Sequence, residues 1–497
     1  MANSSPSRRY QSLCPGCGAG IEFLSAQSTH TICTFCQSTV ARQGDVLSRI
    51  GKMAEVFEDF SPLQLMASGK YEGENFTVIG RLQYAYPEGV WSEWVCLLDG
   101  GPIAYLSEDN GSFVWSAPLS TNPAVLEASQ YILGQSYPLI NQSFTVSSTQ
   151  KVTLKTAQGE LGSLPPLNTE FDMVELRSNQ SVLSIDYSST LAGKSATVSL
   201  GQAVELSDLA LTGLKENVSQ ESKSRQFECP NCGSSIKPLF DDSKTITCSQ
   251  CKSMIDLSSG IGAELKAATQ DNPVNPTIAL GTSGQLENID WQIVGFQHRM
   301  GTSPQEPDES FGWSEYLLYN PLKGFSFLVE STEGWSWVKP MTGAPKSFKN
   351  GQAVEYLGKT YTQTETYSAK TYYVLGEFYW RVSLDQNTKN TDYSCGSSLI
   401  NKEQSKDEIV WSHGQKLLPT VVSKAFNIDA SKGLSEVGDS QNSKLRKQII
   451  LWSVIIILII IIVKCSDDCN PKIENCTTRS SGTGGSYGGY SSGGSHK

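Results

Sequence analysis

The sequence predicts a mainly β protein that is built from a duplicated unit and ends in one membrane-spanning helix. Three observations support this fold class. Gly, Ser and Thr are plentiful while only 18% of the residues are charged, a composition typical of β-meanders with many turns. Eight of the thirteen cysteines form four CxxC pairs. Near the C-terminal end, Ile449 to Val463 is an apolar run with one polar residue, Ser453.

The length and the charge of the chain indicate how many domains to expect and which functions are disfavoured. At 497 residues the chain is too long for one hydrophobic core, so we expect several domains. The net charge is -11 and the isoelectric point about 5.1, which disfavours proteins that wrap nucleic acid with a basic surface. Met1 to Tyr10 is polar and lacks the apolar core of a signal peptide, so we expect reduced, cytosolic cysteines.

The cysteine pairs belong to an internal repeat. Three glycines recur 215 residues later, at the same offset as the cysteines: Gly18, Gly69 and Gly80 match Gly233, Gly284 and Gly295. Trp91-Ser92-Glu93 matches Trp313-Ser314-Glu315 at an offset of 222, which predicts an inserted surface loop at Thr302 to Phe311. Gly159-Glu160 then matches Gly376-Glu377. The chain is therefore a tandem duplication.

Each copy follows one plan in chain order. We expect a ribbon at 10–42, a linker with a helix near Asp45 to Phe57, and a β-module at 60–215. The second copy repeats this plan with a ribbon at 225–257 and a β-meander or barrel-like module at 275–425. Strand-type runs bounded by turn residues predict the hairpins, as in Trp94 to Leu98 followed by Asp99 to Pro102. After the apolar run at 449–463, residues 465–497 are too rich in Gly and Ser to fold.

Each ribbon carries a CxxC-x15-CxxC pattern that predicts a metal site. A CxxC knuckle brings two sulfurs to one ion, and the residues between the pairs fit a returning hairpin. Gly18 and Gly233 allow the left-handed backbone that follows such a knuckle. Four thiolates make a closed structural site, and we favour zinc over iron because nothing else in the sequence indicates a redox partner. The predicted ligands of the two zinc ions are Cys14, Cys17, Cys33, Cys36, Cys229, Cys232, Cys248 and Cys251.

The apolar run at 449–463 predicts a single transmembrane helix. Its fifteen residues reach about 22 Å against a hydrocarbon core of about 30 Å, and Lys447 and Lys464 can extend their charges to the interfaces. An interfacial helix would need a polar face, which this run lacks. Basic residues before the run place 1–447 in the cytoplasm and the tail on the opposite side. Cys465, Cys469 and Cys476 would lie there, paired, free or modified.

No catalytic set stands out, so we predict no catalytic and no cofactor-binding residues beyond the metal ligands. None of the four histidines lies in a metalloprotease or nucleophile-elbow motif. Glu315 and Glu377, with Glu93 and Glu160 at the equivalent places, could be buried, paired carboxylates. Aromatic residues crowd the second module, with core packing as the favoured interpretation and a recognition surface as the alternative: Trp313, Tyr316, Tyr319, Trp335, Trp337, Tyr356, Tyr372, Tyr373, Phe378, Tyr379 and Trp380.

Several runs in the second module resemble the bacterial "domain of unknown function 4178" family. They are Trp313 to Leu317, Gly334 to Trp337, Gly376 to Val382, Asp392-Tyr393, Leu399 to Glu403 and Glu408 to Gly414. The first module resembles the family only in its leading half. The ribbons, the terminal span and the Gly/Ser/Tyr tail resemble the layout of longer members. Ser394 to Ser397 departs from the expected apolar stretch and leaves Cys395 without a role. The resemblance implies this architecture and a bacterial origin, but no activity.

Three functions remain open. The first is a membrane-anchored, non-enzymatic binding or scaffold protein that presents its duplicated modules to cytosolic protein partners. The second is a hydrolase-like enzyme that uses Glu315 or Glu377 in a β-lined cleft. The third is a membrane-tethered protein that binds nucleic acid through its ribbons, a reading that the acidic charge disfavours.

Overall fold

The computed structural model describes residues 10–43, 46–53, 61–87, 89–109, 111–121, 123–215, 226–240, 243–258, 266–270, 273–384 and 386–429. These residues belong to one compact unit and form thirty-one strands and one α-helix, which confirms the mainly β class. In this part of the chain no helix is long and apolar enough to cross a membrane. The predicted span at 449–463 and the tail at 465–497 lie outside the described residues.

The first ribbon consists of five short strands. They are β1 (Tyr10–Leu13), β2 (Gly20–Phe23), β3 (His30–Ile32), β4 (Ser38–Gln43) and β5 (Val46–Lys52). The first two form an antiparallel hairpin, and the other three form a second antiparallel sheet. The helix predicted near Asp45 to Phe57 is wrong for the described residues of this range, because β5 pairs along the free edge of β4. This pairing satisfies the backbone groups of both strands, whereas a helix of this length is only marginally stable.

The first β-module is a closed ring of eight antiparallel strands, which we call barrel 1. Its neighbours run in the order β7-β8-β9-β10-β15-β14-β13-β12, and β12 closes on β7. The short strands β6 and β11 pair with β7 and β12. The strands are β6 (Ser68–Tyr71), β7 (Glu74–Ala85), β8 (Val90–Leu98), β9 (Ile103–Asp109), β10 (Ser112–Pro118), β11 (Ser136–Leu139), β12 (Gln142–Leu161), β13 (Glu170–Ser178), β14 (Ser181–Asp186) and β15 (Thr197–Val204).

The second copy repeats this topology. Its ribbon comprises β16 (Phe227–Glu228), β17 (Ser235–Ile236), β18 (Thr245–Thr247), β19 (Met254–Asp256) and β20 (Lys266–Ala268). Its module contains β21 (Ser283–Leu286), β22 (Ile289–Ser303), β23 (Glu306–Asn320), β24 (Gly324–Ser331), β25 (Gly334–Met341), β26 (Lys346–Phe348), β27 (Ala353–Tyr356), β28 (Lys359–Phe378), β29 (Asn387–Cys395), β30 (Ser398–Gln404), β31 (Ile409–Leu417) and the helix α1 (Pro419–Phe426). The ring runs β22-β23-β24-β25-β31-β30-β29-β28 and closes on β22; we call it barrel 2.

The insertion predicted in the second copy adopts regular structure. The segment from Thr302 to Phe311 was expected to be a surface loop, but it lengthens the hairpin of β22 and β23. Thr302 pairs with Ser310 and Ser303 with Glu306 across the two strands. Barrel 2 therefore carries a hairpin extension that barrel 1 lacks.

The two faces of each ring have different surroundings. Side chains alternate between the faces along every strand, and one set lines a continuous cavity of about 1440 Å³ to which all eight strands of both rings contribute. A cavity bordered by every strand of a closed ring lies inside that ring. One apolar cluster of barrel 1, which includes Leu82, Tyr84 and Val152, borders this cavity, and other apolar clusters lie on the outer faces. Trp94 and Leu106 pack there against Leu63 and Leu209 in barrel 1, and α1 covers the outer face of β22–β25 in barrel 2.

The two barrels contact each other directly. Ser148 of β12 forms a bridge with Glu408, and the Thr149 amide donates to the Asp407 carbonyl at 3.2 Å. Between β25 and β26 the Ala344 amide donates to the carbonyl of Asn179, which lies between β13 and β14, at 2.8 Å. These backbone contacts lie where the two interiors join into one cavity.

Candidate metal centres and barrel interiors

The first cysteine quartet has the geometry of a tetrahedral metal site. Cys14 Sγ lies 3.7 Å from Cys36 Sγ, and Cys17 Sγ lies 3.8 Å from Cys33 Sγ. All four sulfurs fall within 4.8 Å of one another. A tetrahedral zinc ion with Zn–S bonds of about 2.3 Å places its sulfurs about 3.8 Å apart. The quartet can therefore hold one ion of this size.

The second quartet repeats the geometry. Cys229 Sγ lies 3.7 Å from Cys251 Sγ, and Cys232 Sγ lies 3.6 Å from Cys248 Sγ, again with all four within 4.8 Å. In each quartet the first member of each pair is buried and the second is at least partly accessible. The predicted ligands are thus brought together as two separate groups that could hold metal ions.

The backbone of each knuckle follows the expected turn. Gly18 has φ +79° and Gly233 has φ +73°, and their amides donate to the carbonyls of Cys14 and Cys229 at 2.8 Å. The second knuckle of each ribbon uses the same left-handed conformation without a glycine, at Gln37 with φ 57° and at Lys252 with φ 59°. Sequence reasoning missed these two positions because their residue types do not signal positive φ.

Serine residues polarise one thiol in each quartet. Ser38 Oγ lies 3.1 Å from Cys36 Sγ, and Ser253 Oγ lies 3.3 Å from Cys251 Sγ. The side-chain and backbone hydrogen bonds of these serines lower the pKa of Cys36 to about 6 and that of Cys251 to about 5. Both thiols therefore favour the thiolate form that metal ligation needs. The two serines were not singled out from the sequence.

A buried carboxylate joins the first ribbon to barrel 1. Strand β12 continues past the ring, and its end pairs with β3 through Glu160 and Thr31. The Leu24 amide donates to Glu160 Oε1 at 2.6 Å, and the Ser25 amide donates to Oε2 at 3.1 Å. Glu160 is buried. We call this combination of strand pairing and carboxylate the clasp.

The second copy contains the same clasp. Strand β28 pairs with β18 through Glu377 and Ile246. The amides of Leu239 and Phe240 donate to the two oxygens of Glu377 at 2.8 and 2.9 Å, and the Ser243 hydroxyl donates at 2.6 Å. Glu377 is buried, and its carboxylate is committed to the ribbon.

The repeated glycines allow the strands to cross closely beneath each clasp. Gly159 and Gly376 have φ +70° and +86°. A Cβ atom on Gly376 would lie 2.3 Å from the Val294 carbonyl oxygen, and one on Gly80 would lie 1.9 Å from the Glu160 carbonyl oxygen. The conformation and the close approach both require glycine. The glycine matches of the repeat thus mark the point where barrel and ribbon meet.

Glu315 lies elsewhere, inside barrel 2, and is not paired with Glu377. Trp313 Nε1 donates to Glu315 Oε1 at 2.6 Å, and Gln297 Nε2 donates to Oε2. Arg299 Nη1 lies 3.7 Å from Glu315 Oε1. The paired-carboxylate interpretation is therefore replaced by two separate arrangements, a clasp and an interior ion pair.

The aromatic residues of the second module divide between the outer core and the cavity. Tyr316, Trp335 and Tyr373 belong to the buried cluster under α1, as core packing predicts. Trp313, Tyr379 and Trp380 line the cavity. Part of the aromatic set is thus available to a bound ligand.

The remaining polar candidates are dispersed. Cys96 is buried in the outer core of barrel 1, and Cys395 is exposed at the end of β29. His298 Nδ1 lies 3.2 Å from Ser314 Oγ, a pair that sequence reasoning missed because the residues are sixteen positions apart. Within the described chain the His298 ring forms no hydrogen bond to a carboxylate, so the third member of a hydrolytic triad is not in place.

Comparison with known proteins agrees with this duplicated architecture. The family described as "Domain of unknown function (DUF4178)" matches residues 65–206 and again 279–419, which together make up more than half of the chain. These ranges coincide with the two barrels and exclude both ribbons. No curated protein and no solved structure matches the chain. The protein therefore belongs to the DUF4178 family and contains its domain twice.

Proposed function

We propose that the protein is a membrane-anchored, non-enzymatic binding protein that presents two zinc-stabilised ribbon–barrel units to protein partners in the cytosol. The repeated clasp carries this proposal. In both copies a buried glutamate accepts two ribbon amides, so ribbon and barrel offer one continuous surface. Glu315 and Glu377, which a hydrolase would need, already accept hydrogen bonds from neighbouring groups.

Zinc is the ion that we favour for the cysteine quartets, because nothing else in the sequence indicates a redox partner for iron. The sulfur separations match a tetrahedral zinc site with no open position for substrate. Bound zinc would cross-link the two knuckles of a ribbon and contribute on the order of 10–16 kcal/mol to its folding. Elemental analysis of the purified full-length chain should give two zinc ions per molecule. Stoichiometric iron, with its visible thiolate absorption, would contradict the zinc assignment.

The first ribbon offers a surface suited to a protein partner. Phe35, inside the second knuckle, is 85% exposed, and Leu13, just before the first knuckle, is 67% exposed. At the equivalent positions the second ribbon has Gln250 and Glu228. Because these exposed apolar side chains have polar counterparts in the second ribbon, we place the partner contact on the first ribbon.

Exchange of these residues tests the proposed partner contact. The double variant Leu13→Glu, Phe35→Gln gives the first ribbon the residues of the second while leaving all eight cysteines in place. We expect zinc content to stay at two ions and cross-linking of the full-length chain to its cytosolic partners in cells to be lost. A matched double variant, Gln11→Glu with Glu22→Gln, alters exposed polar residues of the same hairpin. Unchanged cross-linking in the first variant would contradict the proposal.

The anchor is tested separately. If 449–463 spans the membrane, the full-length chain should resist extraction with alkaline carbonate, and deletion of 449–463 should release it into the soluble fraction. A membrane-impermeant maleimide applied from outside should label Cys465, Cys469 or Cys476 if any of them is a free thiol. Complete carbonate extraction of the full-length chain would refute anchoring without affecting the zinc sites.

A further inference from the structure

Barrel 2 holds an internal arginine between two carboxylates. Arg299 on β22 donates through Nη1 and Nη2 to the two oxygens of Glu403 at 2.9 and 3.0 Å. Its Nη1 also lies 3.7 Å from Glu315, and Nη2 donates to the Thr388 hydroxyl at 2.7 Å. Burial opposes the charge, but the Glu403 and Glu315 carboxylates raise the pKa of Arg299 above its ordinary value. The interior of barrel 2 thus carries its own guanidinium.

The strand registers identify the equivalent positions in barrel 1. Arg299 pairs with Trp313 in barrel 2, and Tyr84 pairs with Trp91 in barrel 1. Glu315 corresponds to Glu93 by the same pairing. Gly414-Gln415 in barrel 2 matches Gly201-Gln202 in barrel 1. Leu399 pairs with Gly414, and Val182 pairs with Gly201. The residues four positions further along, Glu403 and Asp186, are therefore equivalent. Barrel 1 therefore keeps both carboxylates and has a tyrosine where barrel 2 has the arginine.

The partner of the guanidinium has changed as well. Asn390 pairs with Glu403 and Met173 with Asp186, so Thr388, two residues before Asn390, corresponds to Phe171. The hydroxyl that accepts from Arg299 is thus replaced by an aromatic ring, which lies edge-on to Tyr84 with ring centroids 6.3 Å apart. Barrel 1 thus preserves the two acids and the tryptophan that contact the arginine in barrel 2, as Glu93, Asp186 and Trp91, and replaces the Thr388 hydroxyl by an apolar side chain.

The two acids of barrel 1 face the cavity without a basic partner. Glu93 and Asp186 both line it, and within the described residues Glu93 forms no hydrogen bond or ion pair. Asp186 accepts hydrogen bonds only from the neighbouring Ser188 among the described residues, with the Ser188 amide at 2.6 Å. Of the basic residues that line this part of the cavity, Arg177 is paired with Glu175 at 2.5 Å and Lys194 is exposed. Two carboxyl groups in a partly enclosed site favour a cation.

We propose that barrel 1 binds an organic cation, a guanidinium or alkylammonium group on a short apolar chain, between Glu93 and Asp186. The carboxyl groups would take the place that Glu315 and Glu403 have around Arg299. Tyr84 stacks on Trp91 with ring centroids 5.0 Å apart, and Tyr105 also lines the cavity. Aromatic faces beside carboxylates suit organic cations, whereas calcium takes six to eight oxygen ligands. The site goes beyond the proposed partner binding and does not depend on the anchor.

The ligand would also control the protonation of Glu93. Burial and the nearby Asp186 raise the pKa of Glu93 to about 8. The other titratable groups facing it are Asp186, whose own pKa is raised by burial, and Tyr84 and Tyr105, whose pKa values are raised by burial and by Glu93, so both tyrosines stay neutral. Binding of a cation favours ionised Glu93, so affinity should rise between about pH 6 and about pH 9.

Calorimetric titration of the full-length protein in mild detergent tests the site. The probe is n-butylguanidinium, whose charge is constant over this pH range, and the control is neutral n-butylurea of similar shape. We expect butylguanidinium to bind, to quench tryptophan fluorescence through Trp91, and to release a proton near neutral pH. Butylurea should give no signal.

Variants separate the site from general effects on stability. Glu93→Gln and Asp186→Asn should each weaken binding about tenfold or more, and Glu93→Gln should remove the pH dependence. Asp172→Asn changes a half-exposed carboxylate of the same barrel and should leave binding unchanged. Tyr84→Arg supplies an internal guanidinium and should abolish binding; if it fails to fold, the two conservative variants still decide. No binding at millimolar probe, equal binding of butylurea, or tighter binding of calcium or magnesium than of butylguanidinium would overturn the proposal.

Discussion

The clasp of the second copy gives the sharpest test of how the ribbons are attached. Glu377→Ala removes the acceptor of two backbone amides, at 2.8 and 2.9 Å, and of the Ser243 hydroxyl, at 2.6 Å. A buried donor left without an acceptor costs roughly 1–3 kcal/mol. Because the hydroxyl can reorient, only the two amides count, and the change should weaken docking of the second ribbon by about 2–6 kcal/mol. Glu377→Gln keeps one acceptor oxygen and should lose about half of that.

Hydrogen exchange of the full-length chain in detergent measures this effect at single amides. In Glu377→Ala the amides of Leu239 and Phe240 should lose protection, while those of Leu24 and Ser25, held by Glu160, should keep it. Glu160→Ala should produce the opposite pattern. Zinc content should be unchanged in both variants because the thiolates are untouched.

A matched control uses an exposed glutamate of the same module. Glu333 has a side chain that is 78% exposed and pairs with Lys416, so Glu333→Gln should change stability by less than about 1 kcal/mol. The reasoning is refuted if Glu377→Ala leaves Leu239 and Phe240 as protected as in the unmodified protein, or if both ribbons lose protection together.

Three further predictions concern the interiors and the knuckles. Arg299→Met leaves Glu403 and Glu315 without a counter-charge and should lower the free energy of unfolding by about 3–5 kcal/mol. In urea titration, the double variant Arg299→Met with Glu403→Gln should recover part of this loss. No recovery would contradict the ion-pair assignment. The folded-state pKa of Glu93, about 8, lies above the unfolded value. The contribution of Glu93 to the free energy of unfolding therefore falls as the pH rises from about 4.5 to about 8. Glu93→Gln should therefore match the unmodified protein at about pH 5 and exceed it by on the order of 5 kcal/mol at about pH 9, whereas a constant difference in urea midpoints would argue against a buried acid. Gln37→Gly and Lys252→Gly remove the strain of a positive φ. Each should raise the free energy of opening of the ribbon, measured by hydrogen exchange of its amides, by about 0.5–1 kcal/mol. As a control, Gln11→Gly in the extended strand β1 should speed this exchange.

The sequence allowed the repeat, the β class and the metal ligands to be predicted because these depend on residue spacing. Cysteine pairs at a fixed offset define their own geometry, and the glycines at 80, 159, 295 and 376 mark close backbone contacts that no other residue tolerates. Strand β5 was missed because a segment of seven residues carries a weak local signal, and the free edge of β4 decides its conformation.

The contacts of the glutamates could not be read from the chain alone. Glu160 lies 136 positions from Leu24, and Arg299 lies 104 positions from Glu403. Recurrence in both copies identified four glutamates as candidate buried carboxylates: Glu93, Glu160, Glu315 and Glu377. Recurrence alone cannot distinguish a glutamate that joins ribbon and barrel from one that lies inside the barrel. Strand register separates them, and it also reveals that Tyr84 occupies the position of an arginine.

Strand β12 takes part both in the closure of barrel 1 and in the attachment of the first ribbon. Its residues from Thr153 to Gly159 pair with β7 to shut the ring, and the next two residues pair with β3, which leads directly into Cys33. One strand thus connects the ribbon that carries Cys33 to the closure of the barrel. Loss of a bound metal ion from this ribbon should therefore lower the stability of the β12–β7 pairing as well as that of the ribbon itself.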